Sequence, residues 1–95
     1  MQCEQTVFSG HAIQRIFERR VGIDAVNPVL SGGEIVADYP EETPYPSRLL
    51  LGFIEGRPLH VAVARDADTS TCIIVTAYEP QPEKWESGFR KRRER

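Results

Sequence analysis

The chain holds two histidines, His11 and His60, and imidazole is the side chain best suited to giving and taking protons near neutral pH. His11 is followed by Arg15 and Arg19 at four-residue spacing, so on a helix the three form a ladder along one face. Guanidinium groups hold phosphate or carboxylate oxygens through a planar fork of donors. His60 sits in an alternating run, RPLHVAVAR, and Tyr78 closes another, TCIIVTAY. His11, Arg15, His60 and Tyr78 are therefore the candidate catalytic set. They supply a base for a 2′-hydroxyl, an acid for a leaving 5′-oxygen and cations for a pentacovalent phosphate, with no metal or cofactor required. Each also has a plain structural reading: a satisfied strand histidine, a helix-end histidine, surface arginines, a packed tyrosine.

These side chains need elements to carry them. FSGHAIQRIFERR (residues 8–20) reads as an amphipathic helix capped by Ser9, with Ala12, Ile13, Ile16 and Phe17 on the apolar side and the ladder on the other. A second, shorter helix runs from a cap at Asp24 through Ser31 and buries Val26, Val29 and Leu30; Gly32-Gly33 stops it. GEIVADY, RLLLGFI, RPLHVAVAR and TCIIVTAY read as strands, while Thr6–Phe8 is either a short lead-in strand or a hydrophobic staple. Glu55-Gly56 makes a tight hairpin that sets Ile54 opposite Arg57 and Leu51 opposite His60. A loop centred on Asp68 sets His60 opposite Thr76, so that His60, Cys72, Ile74, Thr76 and Tyr78 share one face. The other, aliphatic face takes the two helices. PEKWESGFRKRR could form a last helix that pins Trp85 and Phe89 to the His60 face. The expectation is an α+β fold: two N-terminal helices packed on a four-stranded antiparallel sheet, with a short C-terminal helix, in a single domain spanning residues 1–95.

Composition narrows the class. Hydrophobic residues make up 40% and charged residues 27% of the chain, as expected of a globular domain rather than a disordered or membrane-spanning segment. MQCEQTVF has neither a basic region nor an apolar run, so no secretory signal is expected. Cys3 and Cys72 lie far apart with no CxxC, which argues against a disulfide or zinc site and for a reducing cytoplasm. The net charge of −2 hides an asymmetry: residues 89–95, FRKRRER, carry +4, which leaves −6 on the rest. That tail is either a flexible basic extension or a local patch for anions. Arg19, Trp85, Arg90, Arg92 and Arg93 are the candidate RNA-binding residues.

FSGHAIQRIFERRVGI, GEIVADYP, GRPLHVAVARD, IIVTAYEPQPEKW and the terminal FRKRR occur in that order. Together they resemble the domain-of-unknown-function family numbered 4258, over almost the whole chain. That resemblance implies a fold of the barnase–EndoU–colicin–RelE type. Many relatives of that type are metal-independent endoribonucleases acting as toxins, with RNA or the ribosome as target and an antitoxin protein as partner. The alternative expectation is a non-catalytic interaction module of the same fold that binds protein or RNA.

Overall fold

The structure is a computed structural model that describes residues 1–94. Seven elements follow in order: β1 (Gln5–Phe8), α1 (Gly10–Glu18), α2 (Ile23–Gly32), β2 (Glu34–Tyr39), β3 (Ser47–Ile54), β4 (Arg57–Asp66) and β5 (Thr71–Tyr78). The sheet is five-stranded and mixed, in the order β1-β5-β4-β3-β2, with β1 parallel to β5. The expected four-stranded antiparallel sheet is therefore corrected. Thr6–Phe8 is a strand because the outer edge of β5 needs hydrogen-bond partners over Thr71–Ile74, and β1 supplies them.

The same pairing overturns the reading of the cysteines. β1 lies beside the start of β5, with Thr6 opposite Cys72. That brings Cys3 within a Cα separation of 5.6 Å of Cys72, and the two form a disulfide. The distance along the chain had hidden a closeness that only a parallel strand could create. In the chain-entropy view, a loop this long makes the bond worth about 4 kcal/mol. Paired cysteines no longer argue for a reducing compartment. No helix is long and apolar enough to cross a membrane among the described residues.

α1 starts where the sequence predicts, with the Ser9 hydroxyl accepting from the Ala12 amide at 2.9 Å. It ends in a Schellman motif. The Val21 amide bonds the Ile16 carbonyl and the Arg20 amide bonds the Phe17 carbonyl, which places Arg20 at φ 58° in the position usually held by glycine. Of the expected apolar side of α1, only Ala12 and Ile16 are buried; Ile13 and Phe17 are exposed. α2 buries Val26, Val29 and Leu30 against Leu50, Leu59, Val61 and Val63, as the alternation in those strands requires.

The β3–β4 hairpin has the expected register: Ile54 pairs with Arg57 and Leu51 with His60. Glu55 and Gly56 both have positive φ, the signature of a type I′ turn. The β4–β5 register departs from expectation twice. Asp66 pairs with Thr71, so the loop is one residue longer than a turn centred on Asp68, and Cys72 and Ile74 turn towards the helices. A bulge at Val75 then shifts the pairing by one more residue and places Tyr78 opposite His60. Two slips of one residue cancel in parity, so Thr76 and Tyr78 still share the His60 face.

The expected C-terminal helix is absent. Residues 81–85 make a single turn in which the Lys84 and Trp85 amides bond the Gln81 carbonyl. Residues 84–93 then fold back as a short hairpin, with Trp85 bridging Arg92 and the Glu86 amide bonding the Lys91 carbonyl. Gly88 at φ 91° and Phe89 at φ 61° make its turn, a backbone no helix can accommodate. The basic segment 89–95, expected either as a flexible tail or as a patch, is folded back onto the domain as far as Arg93; Arg95 lies outside the described residues.

Gly52 sits under α2. A Cβ there would lie 2.6 Å from Cγ2 of Val29, too close to fit without moving the helix. Gly52→Ala is expected to cost roughly 1–3 kcal/mol in urea unfolding, the usual cost of overpacking. In the Gly52→Ala, Val29→Ala double variant the loss should be clearly less than the sum of the two singles. Additive losses would show that Val29 is not the obstacle.

Candidate functional site

The hairpin at 84–93 covers the His60 face of the sheet and, with the end of α1, encloses a cleft of about 520 Å³. Arg19, Tyr78, Glu79, Lys84, Trp85 and Arg92 line it. Each side chain arrives for a local reason. β1 ends at Phe8, so β5 beyond Ile74 has an open edge, and Arg19 at the α1 C-cap fills part of it by donating to the Thr76 hydroxyl at 3.0 Å and the Ala77 carbonyl at 3.3 Å. This holds the Arg19 guanidinium 5.7 Å from the centre of the Tyr78 ring. From the hairpin, the Arg92 guanidinium lies 5.8 Å from the centre of the Trp85 ring.

His60 lies beneath these groups and is fully buried. Its Nε2 is 2.8 Å from the Phe89 carbonyl and its Nδ1 is 3.3 Å from the Tyr78 hydroxyl. A carbonyl only accepts, so Nε2 carries the proton and donates; Nδ1 of the neutral ring then accepts from the phenol. Burial pushes the His60 pKa below its ordinary value, against a smaller opposing effect of the Phe89 carbonyl. Burial likewise raises the Tyr78 pKa, against the pull of Arg92, so the phenol keeps the proton it donates. Trp85 packs edge-on to the imidazole, with ring centres 4.3 Å apart.

The sequence-predicted residues separate into three groups. Arg19, Tyr78, Trp85 and Arg92 meet in the cleft, with His60 as the buried support below. His11 and Arg15 are exposed on α1, about 12 Å and 6 Å back along the axis from Arg19, and form no part of the cleft wall. Arg90 and Arg93 are engaged elsewhere: Arg90 pairs with Glu34 at 2.7 Å, and Arg93 donates to the Pro82 carbonyl at 2.8 Å. The Glu34 carboxyl is held below its ordinary pKa by the Arg90 hydrogen bond. Lys84 and Glu79 were not among the predicted site residues. The signal for Lys84 was its position beside Trp85 in a chain with only two lysines. Glu79 accepts a two-pronged bond from Arg57 at 2.7 and 3.3 Å.

By charge, the cleft wall holds three cations and one carboxylate, and that carboxylate is already paired with Arg57. Among the described residues, Arg19, Lys84 and Arg92 form no ion pair. A chain of net charge −2 thus presents a locally positive, aromatic-backed cleft. No group of three or more His, Cys, Asp or Glu side chains gathers to hold a metal ion among the described residues. The chemistry the wall supports is the holding of an anion.

Because His60 is held neutral when folded, it gives the domain a pH dependence of definite sign. The unfolded chain takes up a proton on His60 below about pH 6.5 and the folded one only at lower pH, so stability should be full above that pH and fall as pH drops towards the lowered folded pKa. One group can contribute at most about 1.4 kcal/mol per pH unit. Urea midpoints at pH 7.5 and 5.5 should differ more for the wild type than for His60→Gln. Equal differences would remove His60 as the cause.

The family model described as a domain of unknown function (DUF4258) matches residues 8–79. No curated protein and no solved structure matches the chain. The matched span takes in the His11–Arg19 helix, the His60 strand and Tyr78, and covers most of the residues; the chain belongs to this family of domains of unknown function.

Proposed function

We propose that this domain is an RNA-binding module whose cleft holds backbone phosphate on Arg19, Lys84 and Arg92. The observation that carries the reading is the pair of guanidinium groups, each braced against an aromatic ring in one cleft and free of carboxylate partners among the described residues. Bracing removes much of the rotamer entropy that a free arginine loses on binding. The fork of donors suits phosphate oxygens, and the partly exposed Tyr78 offers an aromatic surface to a base. Of the two histidines, His60 has both nitrogens occupied and His11 stands on the outer side of α1, so binding is better supported than acid–base cleavage.

Endoribonuclease activity of the kind found among barnase–EndoU–colicin–RelE folds, with an antitoxin or the ribosome as partner, is the second reading. Its support is the phenol of Tyr78 set among three cations, which could stabilise a pentacovalent phosphate without a histidine.

Anisotropy of a labelled mixed-sequence RNA should report binding that weakens with salt at a log–log slope of about −2 for three phosphate contacts. Arg92→Gln and Lys84→Gln should each weaken it by about tenfold, as loss of one charge-assisted contact would. Binding that ignores salt, or that survives both substitutions, would sink the RNA reading. The same RNA incubated with EDTA should stay intact. Fragments that disappear with Arg19→Gln would move the assignment to endoribonuclease.

A further inference from the structure

Arg19 and Glu79 line a second depression as well, of about 400 Å³, on the other side of the ridge they form. Its lining includes the apolar side chains of Val21, Ala25, Ile54 and the buried Leu59. Exposed Arg20, Glu55 and Arg57 stand at its rim. On the ridge, the Arg57–Glu79 pair cancels the one carboxylate that would repel an anion crossing from one depression to the other. The combined walls carry five cations, Arg19, Arg20, Arg57, Lys84 and Arg92, against two carboxylates. Both depressions fall within the size range of small-ligand sites.

Arg20 adds an independent observation. It occupies the left-handed position that closes α1, at φ 58°, where glycine is the ordinary residue and any side chain is strained by roughly 1 kcal/mol or more. Backbone strain of this kind gathers at functional positions. Here it sets a guanidinium at the second depression, one residue after the Arg19 shared by both.

We propose that the second depression is a nucleotide subsite continuous with the first, and that the domain reads a single strand of several nucleotides across the Arg19–Glu79 ridge. This rests on the RNA-binding reading of the cleft. The lining favours a single-stranded nucleic acid over an acidic peptide: both depressions combine cations for phosphates with apolar or aromatic side chains for bases. Arg20 holds a phosphate at the second subsite, and the partly exposed Val21 and Ala25 lie under a base.

The test compares a 5′-phosphorylated dinucleotide with a ten-nucleotide single strand on the full chain. The ten-nucleotide strand is expected to bind at least tenfold more tightly. Arg20→Gly, which relieves the strained backbone, should raise the thermal midpoint, weaken the long strand about fivefold and leave the dinucleotide unchanged; Arg20→Lys should restore most of the loss. The salt slope for the long strand should fall by about 0.7 in Arg20→Gly, the loss of one phosphate contact on a single strand. Equal affinity of the two strands, or a long strand indifferent to Arg20→Gly, overturns the second subsite. The cleft reading then still stands if Arg92→Gln weakens both. A glutamate-rich decapeptide that binds as tightly as the ten-nucleotide strand overturns the nucleic-acid assignment in favour of an acidic protein partner. Failure of every probe overturns the cleft reading and the subsite with it.

Discussion

A histidine is rarely taken to full burial unless both ring nitrogens find partners, and at His60 the two partners come from different parts of the chain. Tyr78 belongs to the neighbouring strand, whereas the Phe89 carbonyl belongs to the hairpin beyond the sheet. Phe89 presents that carbonyl from a left-handed backbone conformation, next to Gly88 in the same region. The turn therefore delivers an acceptor to the imidazole as well as reversing the chain. Trp85, buried against the same ring, closes the packing. Without this joint the hairpin would have little to rest on, and Arg92 and Lys84 would lose their fixed relation to Arg19.

Ion pairing away from this joint explains how a domain with more acidic than basic residues presents a positive cleft. Several acids are occupied in cross-links that stitch the outer parts together: Glu34 with Arg90, Glu79 with Arg57, Asp38 with Arg48. These pairs are exposed and contribute little each, yet they remove carboxylates from competition for the cleft arginines. The latter are held instead by neutral partners, Arg19 by a hydroxyl and a carbonyl and Arg92 by the face of Trp85. Their charge stays available to a ligand. Net charge says little about such a surface; the distribution of pairing decides it.

Local chemistry was legible in the sequence wherever one short segment determined it. Ser9 caps α1, Glu55-Gly56 makes the tight hairpin, and the aliphatic alternation of β3 and β4 faces the helices, because each depends on near neighbours. Features set by long-range pairing were not. No periodicity announces a four-residue parallel strand, and with β1 unplaced the Cys3–Cys72 disulfide was invisible. The Val75 bulge has no composition signal, although it decides which residue faces His60. In the C-terminal segment, Trp85 and Phe89 stand at helical spacing, yet the backbone turns at Gly88 and Phe89. The candidate site suffered in the same way: Arg19, Tyr78, Trp85 and Arg92 converge, while His11 shares a helix face with Arg19 and none of its surroundings.

The end of α1 is where these constraints meet. β1 stops at Phe8 and a single capping residue separates it from α1, so the first strand fixes where the helix starts over β5, and the Schellman turn ends it at Arg19. Its nine residues bring Arg19 level with Thr76 and Ala77, the part of the β5 edge that β1 leaves uncovered. A longer β1 would satisfy that edge with backbone and leave no acceptor for the guanidinium. A longer helix would move Arg20 out of the Schellman turn that sets it at the rim of the second depression. The family match ends at residue 79, just before the hairpin that supplies Lys84, Trp85 and Arg92. One wall of the cleft therefore comes from within the matched span, and the opposite wall from a segment outside it that His60 holds in place.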